Sequence, residues 1–191
     1  RRFADRGKAF NIENPAGNVV AGINCNLNEL SAAIGSAQLA KLPGIIQRRH
    51  EVGEAVKEGL EDRPALSVGW QPPDTWCAYW FLRIHVAVDR IRVDKQAFCE
   101  ALVAEGVPAV SSYRHIPCEM PWFKDKAVFG RSGFPWDCSD YQGPREPICR
   151  KDNAVRATDE HFNVSVNESY GRREIDDILA AFEKVENAYL R

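Results

Sequence analysis

Residues 21–42, AGINCNLNELSAAIGSAQLAKL, decide how the rest of the chain is read. In their second half Leu27, Leu30, Ile34, Ala37 and Leu42 recur at helical spacing. Ala32, Ala33, Gly35, Ser36 and Ala40 keep the same helix thin, which permits close approach of another backbone. Their first half, Gly22 to Asn26, sets a glycine and two asparagines just ahead of that helix. Asn26 followed by Glu29 matches a capping box, so Asn26 is expected to be the N-cap and Asn28 to lie in the first turn. Asn24 stands two residues before that cap, near the positive end of the helix dipole, where backbone N–H groups collect. Such a position suits an anion, and a phosphate most readily.

At 191 residues the chain is one domain or a little more, and 45% hydrophobic residues are ample for a core. Its 25 basic and 27 acidic residues give a net charge of −2, which supplies no electrostatic basis for binding nucleic acid or an anionic membrane. No apolar run approaches the roughly 20 residues that span a bilayer. The start, Arg1 to Arg6, lacks the apolar segment of a signal peptide, and a cytoplasmic protein is expected. The six cysteines form no C-x-x-C pair and are too sparse for a disulfide scaffold. They are expected to be reduced and mostly buried. The four histidines stand at no ligand spacing, so no metal site is expected. Met120 is the only methionine. The chain is therefore expected to be processed, engineered or part of something longer.

Residues 1–25 read as loop, punctuated by Gly7, Pro15, Gly17 and Gly22. Pro43 suits a kink or a new first helical turn, continuing through Ile45, Ile46, Val52, Val56 and Leu60. Arg48, Arg49, Glu51, Glu54, Lys57 and Glu58 read as the solvent face of that helix. Residues 61–76, EDRPALSVGWQPPDTW, read as a connector marking a boundary. The expected organisation is residues 1–63, the end of a large-domain region with long interface helices, and residues 64–191, a small α/β domain. Within the second part the pattern predicts a strand over 77–88, a helix over 93–107 capped by Asp94 and closed at Gly106, and a short strand over 108–113. Residues 114–153 show no periodicity. A strand over 161–166 and an amphipathic helix over 171–190 follow, the helix presenting Ile175, Ile178, Leu179, Phe182, Val185 and Tyr189 on one face. The fold class is α/β, with long helices leading into a short sheet that carries helices on one face. The thin stripe of the first helix needs a partner surface, from another domain or another subunit.

Gly22 to Leu42, with IIQRR at 45–49, resembles the G-x-N-x-R-M-x-E-x-x-A-A-x-G-x-x-Q-L-x-x-L…R-R signature of the DegT/DnrJ/StrS family. These are pyridoxal-phosphate-dependent aminotransferases that typically act on keto sugars attached to a nucleotide. YWFLRIHV resembles the strand opening the family's small domain, LVAEGVPAVSSYRHIP its L-x-x-x-G-I…H-Y-x-P element, and IDDILAAFEKV its last helix. The resemblance implies the C-terminal half of an aspartate-aminotransferase-like, fold-type-I protein acting as a homodimer. It further implies pyridoxal 5'-phosphate as cofactor, an amino-acid donor and a keto-sugar acceptor. Asn24 matches the family asparagine that reaches the cofactor phosphate of the neighbouring subunit. Asn26 stands on the substrate side where the family has arginine, and Leu27 where it often has methionine. Tyr113 and His115 fall in the turn that approaches the active-site entrance.

Such an enzyme needs a lysine to hold the cofactor and move the proton at the α-carbon. In the family that lysine lies in an S-F-x-x-x-K context. None of the eight lysines here follows an S-F pair at that spacing. The acid and the stacking aromatic would also lie upstream, so no catalytic residue is assigned and this polypeptide alone is expected to be inactive. His161 reads as structural. Trp122, Phe123, Phe134, Trp136 and Tyr141 could wall a substrate pocket or form a satellite hydrophobic cluster. The alternative function, from another class, is a non-catalytic ligand-binding or assembly module derived from the family.

Overall fold

The computed structural model describes residues 4, 5, 8, 11–13, 23–112, 116–127 and 133–191. The chain divides into two units, residues 1–45 and 46–191. In the first, helix α1 (Glu29–Leu39) begins after an extended segment and ends at Ala40. None of its residues is buried: Leu30 is 72% and Ile34 54% exposed. Helix α2 (Leu42–Gly59) starts at once, with Pro43 in its first turn as expected, because the missing N–H costs nothing there.

The second unit is built on a four-stranded antiparallel sheet in the order β1-β2-β4-β3, with β1 (Leu66–Val68), β2 (Phe81–Val86), β3 (Ala109–Val110) and β4 (His161–Ser165). The central register pairs Leu82 with Val164 and Ile84 with Phe162. Alternation places Leu82, Ile84 and Val86 on the buried face of β2. In the same core lie Phe98 and Leu102 of α3 (Lys95–Ala104), Ile178, Phe182 and Val185 of α6 (Arg172–Tyr189), and Val52 and Val56 of α2. Each such side chain contributes about 1.5–3 kcal/mol when fully removed from water. Asp94 caps α3 as expected, its carboxylate accepting from Ala97 N at 2.8 Å, and Gly106 closes it with φ +92°.

Several expectations are corrected. Leu66–Val68 forms β1 inside the stretch read as connector, since three residues are too few to declare a period. Helix α5 (Asp152–Asp159) was not anticipated; it is short and buries no residue, so its pattern carried no apolar stripe. Most of 116–151 is irregular as expected, with a 3₁₀ turn at Pro117–Glu119 and the single turn α4 (Pro121–Lys124) among its described residues. Arg49 is not on the solvent face of α2. Its side chain is 19% exposed and donates to Tyr79 O at 2.7 and 3.1 Å, Trp80 O at 2.9 Å and Glu168 at 3.0 Å. The cysteines are free, but only Cys99 is buried, so the expectation of mostly buried thiols fails. Trp122 and Trp136 pack edge-on against Phe123, with ring centroids 5.7 and 5.6 Å apart, and Trp136 is buried outside the main core. That is the satellite cluster.

Candidate functional site

The turn ahead of α1 is held by contacts across twenty residues of chain. Asp5 and Asn24 form an antiparallel bridge, and Cys25 N donates to Ala4 O at 2.8 Å. Asn24 Oδ1 accepts from Asn26 N at 3.2 Å, an Asx turn that fixes the amide and leaves its Nδ2 with no bond to another described residue. Asn26 Nδ2 donates to Asp5 Oδ1 at 2.6 Å, and Lys8 pairs with the same oxygen at 3.1 Å.

Asn26 is therefore not the N-cap. Asn28 is, accepting from Ser31 N at 2.8 Å from an extended backbone with φ −76° and ψ 161°. A cap must reach the amide three residues on, and Asn26 spends its side chain on Asp5, a partner invisible to a local motif. Glu29 becomes the first helical residue, where its charge favours the helix dipole. Tyr113 and His115, the other expected substrate-side residues, lie outside the described residues.

In the second unit the sheet face away from the core forms a cavity of about 280 Å³, lined by Arg83, Thr158, His161 and Asn163 with Ile116 and Ala157 among its apolar walls. Register explains the grouping: Arg83 faces Asn163 and His85 faces His161 across the β2–β4 ladder. Arg83 Nε donates to Asn163 Oδ1 at 3.4 Å, and Asn163 is 6% exposed. The His161 ring lies against His85 at 5.1 Å and its Nδ1 is 2.6 Å from Ala157 O. Burial holds His161 below the ordinary histidine value, the charges of His85 and Arg83 acting the same way and the Ala157 carbonyl opposing. Lys95 is likewise lowered by burial, and its ammonium donates to Thr158 O at 2.6 Å and His161 O at 3.0 Å. It pins α3 to the α5–β4 corner and is not a candidate anchoring lysine. The alternation in FLRIHV was the signal for Arg83 and His85; Asn163 carried none until the register was known.

A second cluster surrounds Tyr79, which has φ +42° although it is not glycine. Its hydroxyl donates to Glu54 and lies 3.2 Å from Gln71 Oε1, and His50 stacks on Trp76 at 4.5 Å. Burial first, then the Glu54 carboxylate, pushes the Tyr79 phenol well above its ordinary value. Gly53 is required here, because a methyl group at that position would sit inside the Tyr79 ring. The strained residue and the Arg49 clamp on its carbonyl set the start of β2 and leave Trp80 76% exposed. Among the described residues no group of His, Cys, Asp and Glu is arranged to hold a metal ion, and no helix is long and apolar enough to cross a membrane.

Solved structures share this architecture. An aminotransferase, TlmJ, from Streptoalloteichus hindustanus superposes with a TM-score of 0.69 at 19% identity, covering 98% of this chain and 44% of that one. Helicobacter pylori PseC, an aminotransferase involved in the biosynthesis of pseudoaminic acid, gives 0.72 at 16% identity over 98% of this chain and 45% of its own. The sugar aminotransferase CalS13 from Micromonospora echinospora gives 0.70 at 14% identity over 96% and 43%. At such identities the likeness is one of fold, and this chain spans less than half the length of each. Among curated protein sequences none matches. The model of one family does match, over residues 1–135, which include the Asn24 turn, both long helices and β1 to β3. The chain belongs to the DegT/DnrJ/EryC1/StrS aminotransferase family.

Proposed function

We propose that this chain supplies the C-terminal part of a pyridoxal-phosphate-dependent aminotransferase that passes an amino group from an amino-acid donor to a nucleotide-linked keto sugar, acting as a homodimer. In this reading residues 1–63 end the large domain and carry the interface helices, and residues 64–191 form the small domain.

The observation that carries it is the state of Asn24. Its carbonyl oxygen is committed to Asn26 N, so the amide presents Nδ2 as a donor, as a phosphate oxygen requires. The nearby Asp5 carboxylate is bonded by Asn26 and paired with Lys8, which reduces its repulsion of an anion. These residues fit the phosphate end of the cofactor. When bound, that cofactor supplies the electron sink that makes the α-carbon proton acidic. Asn24 would orient it by donating to the phosphate of the neighbouring subunit. Asn26, Tyr113 and His115 are proposed on the substrate side, and the small domain would help exclude water.

The test uses the full-length protein. After addition of pyridoxal phosphate and borohydride, cofactor fixed irreversibly to a lysine N-terminal to Arg1 is expected. Reversible binding, or none, would instead support a ligand-binding or assembly module without catalysis. That second reading is favoured by one observation: Asn26 stands where the family has arginine and is tied to Asp5.

A further inference from the structure

Cys118 and Cys149 are far apart in sequence but line the same cavity, of about 300 Å³, against Phe123 and Trp136. The Cys149 thiol donates to Pro147 O at 3.8 Å, and Cys118 is near enough to help raise that thiol above its ordinary value. The segments that carry them are tied on both sides of the pair. Lys151 pairs with Glu119 at 2.6 Å, and Lys126 pairs with Glu146. Cys149 is exposed and Cys118 half-buried, so the pair can be reached from solvent. Of the other cysteines, Cys99 is buried in the core, Cys138 sits in its own turn with its N–H bonded to Pro135 O at 3.0 Å, and Cys25 is exposed ahead of α1.

We propose that Cys118 and Cys149 are a reversible dithiol–disulfide pair that reacts with low-molecular-weight disulfides and cross-links the turn at Pro117–Glu119 to the segment entering α5. The exposed Cys149, as thiolate, attacks one sulfur of the small disulfide and expels the other as thiolate. Cys118 then loses its proton and attacks Cys149 Sγ in the mixed disulfide, expelling the second small thiol. The protein is oxidised by two electrons and two hydrogens, and the small disulfide is reduced to two thiols. Desolvation first, then the neighbouring Cys118, holds the Cys149 thiol above its ordinary value and slows the first attack at neutral pH, while the charge of Lys151 opposes them. The inference concerns residues outside the Asn24 turn and does not depend on the reading proposed for it.

The experiment exposes the chain to glutathione disulfide, alkylates the remaining thiols and maps the peptides by mass spectrometry. The expected product is a Cys118–Cys149 cross-link, with loss of two hydrogens and reversal by dithiothreitol, while Cys99 and Cys138 are alkylated. In Cys118→Ser the reaction is expected to stop at a persistent glutathione adduct on Cys149. Three results would each overturn the proposal: wild type accumulating that same adduct with Cys118 still alkylatable, cross-links of Cys138 to either residue at comparable yield, or no reaction of either thiol.

Discussion

α1 and α6 both carry apolar residues at helical spacing, far more sharply one-sided on α6, and these residues end in opposite environments. On α6, Phe182 is fully buried and Ile178 and Val185 nearly so, against α3 and the sheet. On α1, Leu30, Ile34 and Leu39 are 72%, 54% and 66% exposed. A periodic stripe states that a face is meant to be covered; it does not state by what. For α6 the cover is in the same unit, brought there by the antiparallel register of β2 and β4. The small residues of α1 suit a backbone-close contact, which the proposed homodimer would supply.

The largest expected effects separate these two helices. Phe182→Ala should destabilise the chain by about 3–5 kcal/mol in urea unfolding, because it leaves a cavity in the only extensive core of the described residues. Leu30→Ala should change it by no more than about 0.5 kcal/mol. Equal losses would show that α1 is already packed in this chain. Next comes Glu186, which is 0% exposed on α6 and accepts from Ala65 N at 2.7 Å, with Arg63 3.6 Å from its other oxygen. Glu186→Leu strands that amide and should cost about 1–3 kcal/mol. Two glycines sharpen the contrast further. Gly53→Ala drives a methyl into Tyr79 and should cost about 1–3 kcal/mol. Gly35→Ala on α1 meets nothing within 4 Å and should raise helicity, by up to about 1 kcal/mol. A penalty at Gly35 in this chain would mean that its surface is occupied.

The same contrast explains what could be read from the residues alone. The amphipathic α6, the Asp94 cap, the Gly106 stop and β2 were legible because each is set by near neighbours. β1 was not, since a three-residue edge strand is defined by its partner. Arg49 was misread because its charge suggested solvent, whereas its partners, the carbonyls of Tyr79 and Trp80, lie thirty residues away in sequence. In the candidate site, Asn24 was separated from its neighbours as the residue that capping does not explain, and its carbonyl oxygen accepts from Asn26 N. Asn26 was given the cap because its bond to Asp5 is non-local. Asn28→Ala should therefore cost α1 about 1 kcal/mol, while Asn26→Ala should leave its helicity unchanged, as circular dichroism would read.

The smallest effect expected is a slope. Folded His161 is held below the ordinary 6.5, mainly by burial, so the unfolded chain binds more protons near that value. Stability should fall as pH is lowered through 6.5, ahead of any loss from carboxylates such as Glu54 and Glu174, whose shifts act below 4.5. His161→Phe should flatten that first part of the profile; an unchanged slope would place the ring in water.

The central claim is that the turn before α1 is one side of a phosphate site completed by a second subunit. Asn24→Asp in the full-length protein tests it most directly, because the carboxylate can still accept from Asn26 N while the donor is lost and a negative charge is added. The measurement is pyridoxal phosphate retained after gel filtration, read by visible absorbance, with wild type run in parallel. Retention at least about tenfold weaker in Asn24→Asp, for the loss of about 1.4 kcal/mol or more, is the predicted result. Equal retention in Asn24→Asp and wild type would contradict the account and reduce Asn24 to a turn residue.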